Sequence, residues 1–308
     1  MIPTRSSSPQ LGKLLLIDAP SAYFRAFHGV PDSVTAPDGT PVNAVRGTID
    51  VLARQIRALA PQAFVACFDT DWRPAWRVDA IPSYKLHRVA DDGGDGIPDL
   101  LGPQVPIIEA VLDAIGLARC GVAEFEADDV IGTYTAQWEG PVDVITGDRD
   151  LFQLVRDDKP VRVIYSVEKY AEIDEAAVTR KYAIPGRGYG EFAVYRGDPS
   201  DGLPGVPGVG AKTAAALVNK FGTVDRMLKA LDSGVEAGFP AGARTKLLNA
   251  RDYLDNASYV VRVRADVPLP ELSVALPREP VDPDALVALS QRWGLDSALN
   301  RLLGALAA

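Results

Sequence analysis

Three short runs share one shape: LLLID at 14–18, AFVACFD at 63–69 and VDVITGD at 142–148 are apolar stretches closed by an aspartate. Apolar runs of that length without polar alternation predict strands buried on both faces. Between them, AVRGTIDVLARQIRAL (44–59), VPIIEAVLDAIG (105–116) and the run from Glu126 to about Trp138 carry the helical period. Strands alternating with helices predict a parallel sheet flanked by helices. Such a sheet puts Asp18, Asp69 and Asp148 at the carboxyl ends of its strands, where ligands sit. Residues 70–104 interrupt the pattern with WRPAWR, IPSYKLHR and ADDGGDGIPD. A connection of that length is expected to be functional or mobile. From about Gly186 the strands cease, and helix-period segments (EFAVYRG, GAKTAAALVNKF, VDRMLKAL, ARTKLLNARDYL) follow one another through glycine and proline turns. ALVALSQRWGL and SALNRLLGALA close the chain. The expected organisation is therefore an α/β core over 12–185, with an insertion at 70–104, and a helical region over 186–308.

Composition narrows the chemistry. With 308 residues, 47% hydrophobic and 24% charged, the chain can bury a core of one large or two modest domains. Cys67 and Cys120 both lie in apolar runs, which predicts buried thiols in a reducing cytoplasm and no disulfide framework or zinc site. No apolar signal segment opens the chain and no 18-residue uncharged apolar run occurs, so neither secretion nor a membrane span is expected. The two histidines, His28 and His87, are too few for a histidine-rich centre, and neither stands in a serine nucleophile motif. His28, among the aromatic and apolar residues of YFRAFHG, is expected to pack. Catalysis must then lean on carboxylates. A net charge of −9 at first argues against a polyanionic partner.

The acids change that picture. FEADDVIG sets Glu126, Asp128 and Asp129 within four positions, TGDRDLFQL adds Asp148 and Asp150, and GDPSDG adds Asp198 and Asp201. Singly, each has an ordinary explanation, since helix starts favour acids and GDPSDG is turn composition. With Asp18 and Asp69 they make nine acids, most at strand ends or helix starts, that parallel topology would gather at one edge. Converging like charges repel unless neutralised, and a hard divalent ion with oxygen ligands, Mg²⁺ or Mn²⁺, neutralises them. Two such ions about 4 Å apart would generate a nucleophilic water and stabilise the leaving oxygen of a phosphodiester. Setting these nine aside leaves 32 of the 41 acidic residues against 32 basic ones, and the objection to nucleic acid weakens.

Two stretches read phosphate. LPGVPGVGAKTAAALV (203–218) matches a helix-hairpin-helix, with Gly208 and Gly210 flanking Val209 in the turn and Lys212 and Thr213 opening the next helix. Glycines allow close backbone approach, and free amides at a helix start bind phosphate without reading sequence. WRPAWRVDAIPSYKLHR interleaves Arg73, Arg77, Lys85 and Arg88 with Trp72, Trp76 and Tyr84, a mixture suited to phosphates and unstacked bases. Following Asp69 directly, it is a candidate electrostatic clamp. Arg25, close after Asp18, is a further phosphate candidate.

These motifs in order, LLIDAPSAYFRAFH, FDTDWRPAWR, YKLHR, FEADDVIG, TGDRDLFQL and RGDPSDGLPGVPGVGAKTAA, resemble the bacterial 5′ nucleases of the flap endonuclease superfamily, similar to the N-terminal domain of DNA polymerase I. The likeness covers roughly 12–270. It implies a PIN-like core and cleavage near the 5′ end of flapped, nicked or gapped duplex DNA, or of RNA primers on DNA, in replication and repair, with two or more Mg²⁺ or Mn²⁺ ions. It implies that all nine acids belong to the metal site, Glu126 and Asp128 on the ion nearer the water and Asp148, Asp150 and Asp201 on the second. Lys85 and Arg88 would be the basic pair of a gateway over 70–104, with Arg77 and Tyr84 nearby, and a K⁺ ion would sit on carbonyls between Gly205 and Gly210. The chain departs from the family pattern at Gly202, where Asn is usual, and at Pro199, where a polar residue is usual; DDGGDG (91–96) makes the gateway acidic. It stops at Ala308, so a free-standing monomer is expected. Two other readings compete: a non-catalytic DNA junction-binding protein, and a phosphatase using Asp69 and Asp71. The second has Arg73 where threonine is expected and leaves the hairpin unexplained.

Overall fold

A computed structural model describes residues 12–89 and 98–308. Its core is a six-stranded sheet of β1 (Leu14–Asp18), β2 (Ala63–Cys67), β3 (Arg119–Cys120), β4 (Val142–Thr146), β5 (Val161–Tyr165) and β6 (Ala171–Ile173), in the order β3-β2-β1-β4-β5-β6. Strands β1 to β5 are parallel. The expected parallel sheet flanked by helices is present, and at one edge β6 runs antiparallel to β5. The link from Ser166 to Tyr170 is too short for a crossover, so the strand can only fold back. In chain order the described helices are α1 (Ala19–Gly29), α2 (Asn43–Leu59), α3 (Ala75–Ala80), α4 (Val105–Ile115), α5 (Ala127–Gln137), α6 (Glu175–Tyr182), α7 (Tyr189–Arg196), α8 (Ala211–Phe221), α9 (Val224–Asp232), α10 (Ala243–Asn249), α11 (Arg251–Val261), α12 (Pro283–Trp293) and α13 (Asp296–Leu306).

The unbroken apolar strands have a plain cause: both faces of the sheet are covered. Leu14 and Leu16 join Val142, Val144 and Val163 in a layer shared with Val130 and Ile131 of α5 and Phe192 of α7. Leu15 and Ile17 join Phe64, Ala66 and Ile145 in a second layer with α1, α2 and α4. Each such side chain contributes roughly 1.5–3 kcal/mol when fully buried. The second layer also takes in Leu286 of α12 and Ala298, Leu299 and Leu302 of α13. The helical region expected over 186–308 therefore packs on both layers of the sheet. The chain from α7 to α11 lies on one layer, while α12 and α13 return to α4 and α2 on the other.

Among its described residues the insertion forms α3 and single 3₁₀ turns at Leu86–Arg88 and Gly102–Gln104. Its far end is anchored by Gln104, whose buried Oε1 accepts the first amides of α2, Ala44 N at 2.8 Å and Val45 N at 3.3 Å, while Nε2 donates to Leu100 O and to Asn43 Oδ1. The DDGGDG segment lies outside the described residues. Cys67 and Cys120 are free, buried and paired in register across β2 and β3. His28, expected to pack, is instead exposed in the last turn of α1, with its ring edge-on to Phe27. No helix among the described residues is long and apolar enough to cross a membrane.

If α13 is part of the core, Leu302→Ala, at a position with no solvent exposure, should reduce stability in urea unfolding by about 2–5 kcal/mol. An unchanged midpoint would mean that the helix is an appendage.

Candidate active site

The sheet order has a topological consequence. From β1 the chain proceeds to β2 and β3 on one side, and from β4 to β5 and β6 on the other, which opens a crevice outside the carboxyl ends of β1 and β4. A cleft of about 700 Å³ lies there, lined by Asp18, Asp69, Glu126, Asp128 and Asp148 together with Arg25, Lys85, Arg88, Arg149 and Trp72. Asp18 ends β1 and caps α1. Its Oδ1 accepts Ser21 N at 3.0 Å, and its Oδ2 accepts the hydroxyl of Thr146, the last residue of β4, at 2.6 Å. The Ser21 hydroxyl in turn accepts Gly147 N at 2.7 Å, and Asp148 Oδ1 accepts Asp150 N at 2.8 Å. The two strand ends are thus laced together by their own acids and hydroxyls.

On the β2 side, Asp69 Oδ1 accepts Ala127 N at 2.7 Å at the start of α5. Glu126 caps that helix in a reciprocal box with Asp129. The Glu126 carboxylate receives the Tyr84 hydroxyl at 2.8 Å, an ion pair from Lys85 Nζ, and Arg77 Nη1 at 3.0 Å. Asp129 behaves differently from its neighbours. Both its oxygens are held by the Arg77 fork at 2.7 and 2.8 Å, and Oδ1 also accepts Arg264 N at 2.9 Å, with no exposure. Arg77 Nε donates to Val260 O at 3.0 Å, so the buried pair ties α3, α5 and α11 together. Asp129 and Arg77, expected at the metal and the phosphate, are therefore taken out of the cleft. Tyr84 is likewise buried, holding Glu126. Arg73 donates to Tyr84 O and Pro82 O, so of the four expected clamp cations Lys85 and Arg88 line the cleft.

Asp201 approaches from the helical half. Arg88 Nη2 reaches Asp201 Oδ1 at 2.9 Å, Lys85 N donates to Asp201 O at 2.9 Å, and the Ser83 hydroxyl donates to Gly202 O at 2.8 Å. Gly202 has φ +66°, and a Cβ there would lie 2.2 Å from Ser83 O. No side chain fits, which explains glycine where the family pattern has Asn: the Lys85 loop docks directly on it. Lys85 itself sits in the left-handed region at φ 49°, a conformation costing about 1–2 kcal/mol that these bonds on either side must hold. Asp198 caps the Pro199–Asp201 turn, accepting Ser200 N at 2.9 Å, with Arg196 at 3.6 Å and Arg149 at 3.9 Å. Asp150, Asp198 and Asp201 stand behind the residues that line the cleft. Thr146, Ser21 and Arg149 were not singled out from sequence. Their signal was weak, a hydroxyl and a cation beside acids already chosen.

Electrostatics follow from burial. Burial pushes the Asp18 carboxyl up to about 7, with Asp69 and Asp148 adding to the rise against the Thr146 and Ser21 bonds. Burial likewise raises Asp201 to about 6, opposed by Lys85 and Arg88. Asp128 and Asp150 are raised well above the carboxylate range by burial and then by Asp148. Asp69 is raised by burial and opposed by Lys85. For Glu126 burial also acts upward, but Lys85 and Arg77 outweigh it and bring the carboxyl below its usual range. Among the described residues no three Asp, Glu, His or Cys side chains form a preassembled cation cage. The donor set nevertheless fits a hard divalent ion: every acid offers oxygen, several are short of positive charge, and buried Asp150 Oδ1 has no hydrogen-bond partner. Mg²⁺ keeps several waters and needs only one or two protein carboxylates.

In the hairpin, Gly208 has φ +75° and Gly210 caps α8 with open space at its Cα. Lys212 is exposed and Thr213 half-buried on the first turn. Gly208 O accepts Lys246 Nζ at 2.8 Å, Val206 O accepts Val209 N and Gly210 O accepts Ala214 N, and each of these carbonyls keeps a second lone pair.

Family models described as "5′-3′ exonuclease, N-terminal resolvase-like domain" and "5′-3′ exonuclease, C-terminal SAM fold" match residues 13–183 and 184–284. The chain belongs to the 5′-3′ exonuclease family. A 5′-3′ exonuclease of Streptomyces coelicolor is 56% identical over 96% of this chain and 100% of its own length. DNA polymerase I of Mycobacterium bovis is 36% identical over 96% of this chain but 32% of its own. Among solved structures, the bacteriophage T5 D15 flap endonuclease in complex with DNA and metal ions has a TM-score of 0.64 at 15% identity, covering 96% of this chain and 100% of that one. That likeness is one of fold. As a member of the 5′-3′ exonuclease family the chain is a nuclease, and the cleft at β1 and β4 is its candidate centre.

The raised acids give a pH test. Groups whose folded pKa exceeds the unfolded value stabilise fully below the unfolded value, near 3.8 here, and lose that contribution as pH rises through the folded one. Metal-free protein should therefore lose thermal stability progressively from about pH 4, the contribution of Asp201 being spent by about 6 and that of Asp18 by about 7, and added Mg²⁺ should raise Tm more at pH 8 than at pH 5. A Tm flat across that range, with and without Mg²⁺, would contradict the assignment.

Proposed function

We propose that this nuclease hydrolyses phosphodiesters near the 5′ end of flapped, nicked or gapped duplex DNA, including RNA primers on DNA, using Mg²⁺ or Mn²⁺. The observation that carries the reading is the meeting of five carboxylates with Lys85 and Arg88 in one cleft at the switch point. Glu126 and Asp128 would hold one ion, and Asp148, Asp150 and Asp201 the other. When bound, such ions supply a water of lowered pKa and positive charge for the leaving oxygen.

The chain's own residues do the positioning. Asp18, fixed by Ser21 N and the Thr146 hydroxyl, keeps its lone pairs oriented at the cleft floor. Lys85 and Arg88 pair with Glu126 and Asp201. A scissile phosphate entering between them is an alternative partner for both cations, and charge-assisted bonds to its oxygens would fix its orientation. The open amides at the start of α8, with Lys212 and Thr213, suit the duplex backbone at a distance from the chemistry. Arg77, Asp129 and Tyr84 act through Glu126, by holding the helix start that carries it.

Asp148→Asn should lower flap cleavage in Mg²⁺ by at least about 10³-fold, on the scale of losing charge stabilisation at a reacting centre, and leave duplex affinity within about three-fold. Labelled 5′-flap, nicked and single-stranded substrates, with Mg²⁺ and with a chelator, provide the assay. Substrate left whole by the wild-type protein under both conditions would identify a junction binder, and undiminished turnover by the variant would refute the site.

A further inference from the structure

A second groove of about 550 Å³ adjoins the cleft, sharing Arg25 and Ser166 with it and continuing between α2 and the β5–β6 edge over Arg54, Lys169, Tyr170 and Glu172. Several surface cations are taken up by carboxylates, as Arg162 is by Asp143 and Glu172, Arg251 by Asp232 and Arg301 by Asp50. Arg25, Arg54 and Lys169 are exposed, and among the described residues none of them forms an ion pair with a carboxylate. Glu172, the acid lining the groove, is engaged by Arg162. Three unneutralised cations in line with an acid-rich centre would attract a polyanion that the centre alone repels.

The backbone supports the same reading. Lys169 and Tyr170 are consecutive non-glycine residues in the left-handed region, at φ 56° and 61°, where glycine or asparagine would sit without strain. The turn sets Lys169 out in solvent and brings the Tyr170 ring beneath the Arg54 guanidinium, 4.9 Å from its centroid. A cation paired with an aromatic face beside further cations is the combination that holds a sugar-phosphate chain and stacks its bases.

We infer that this groove binds the phosphodiester backbone of the nucleic acid that continues beyond the cleft, with Arg25 at the junction and Arg54, Lys169 and Tyr170 along the track. The inference rests on the DNA-cleaving reading above. Its ligand chemistry is shared by a single-stranded flap and by the flanking duplex arm, and the test separates them.

The full chain carrying Arg54→Glu and Lys169→Glu, with Arg54→Gln and Lys169→Gln as a milder pair should the first not fold, is compared with wild type by fluorescence anisotropy. Three substrates are used: a nicked duplex with arms just long enough to be cleaved, the same duplex with a long 5′ single-stranded flap, and the same duplex with a long flanking arm. The expected result is a roughly ten-fold loss of affinity for one or both extended substrates at low salt, with a salt slope reduced by about 1–2. Affinity and cleavage on the minimal duplex should be unchanged. A loss on the flap alone assigns the groove to single strands, and a loss on the arm alone assigns it to duplex. Equal affinity of variant and wild type for all three substrates, or an equal loss on all three, overturns the inference. Failure of wild type to cleave even the minimal duplex in Mg²⁺ would instead overturn the parent reading.

Discussion

Carboxylates crowded at the carboxyl ends of β1 and β4 are the constraint from which the rest of this structure follows. A sheet ordered β3-β2-β1-β4-β5-β6 leaves its crevice between the two strands that end nearest Asp18 and Asp148, and apolar layers on both faces prevent those ends from spreading. The acids cannot all be ionised there without a counter-charge, as the raised carboxyls of Asp18, Asp128, Asp150 and Asp201 record. Lys85, Arg77 and Arg88 supply part of it from one side. The remainder is an opening for divalent ions and a phosphodiester.

That balance depends on the two halves of the chain meeting. Lys85 reaches Glu126 because its loop lies on Asp201 and Gly202, and Asp201 is brought there by the turn after α7. The buried Arg77–Asp129 pair fixes α3 and α5 against α11. Breaking a pair of this kind by removing one partner costs several kcal/mol, because the survivor is left charged and buried. Substitutions at Arg77 or Asp129 would thus injure activity through the position of Glu126, and resemble catalytic defects without touching substrate.

Much of this was legible in the sequence. The three aspartate-ended strands, the covered sheet and the grouping of Asp18, Asp69, Glu126, Asp128 and Asp148 follow from apolar runs and chain order. Strands β3 and β6 were not legible, since two or three residues carry no period, and β5 is masked by the charged RDDKP before it. Asp129 could not be separated from Asp128, because adjacent helix positions differ only in the direction they face: Asp128 turns to the cleft, Asp129 to Arg77. The family pattern made Gly202 look like a defect, and only the approach of Ser83 O shows why a side chain is excluded. The return of α12 and α13 to the second layer, against α4 and α2, is a long-range packing choice, and their amphipathic pattern does not say which surface they cover.

The central claim is that an under-neutralised set of acids in one cleft exchanges protons for divalent ions. Calorimetric titration of Mn²⁺ at pH 6.5, repeated in buffers of different ionisation enthalpy, counts the protons released per ion bound. The account predicts saturable binding of up to two ions with net proton release, both sharply reduced in Asp128→Asn. Binding without proton release, or binding that Asp128→Asn leaves intact, would contradict it.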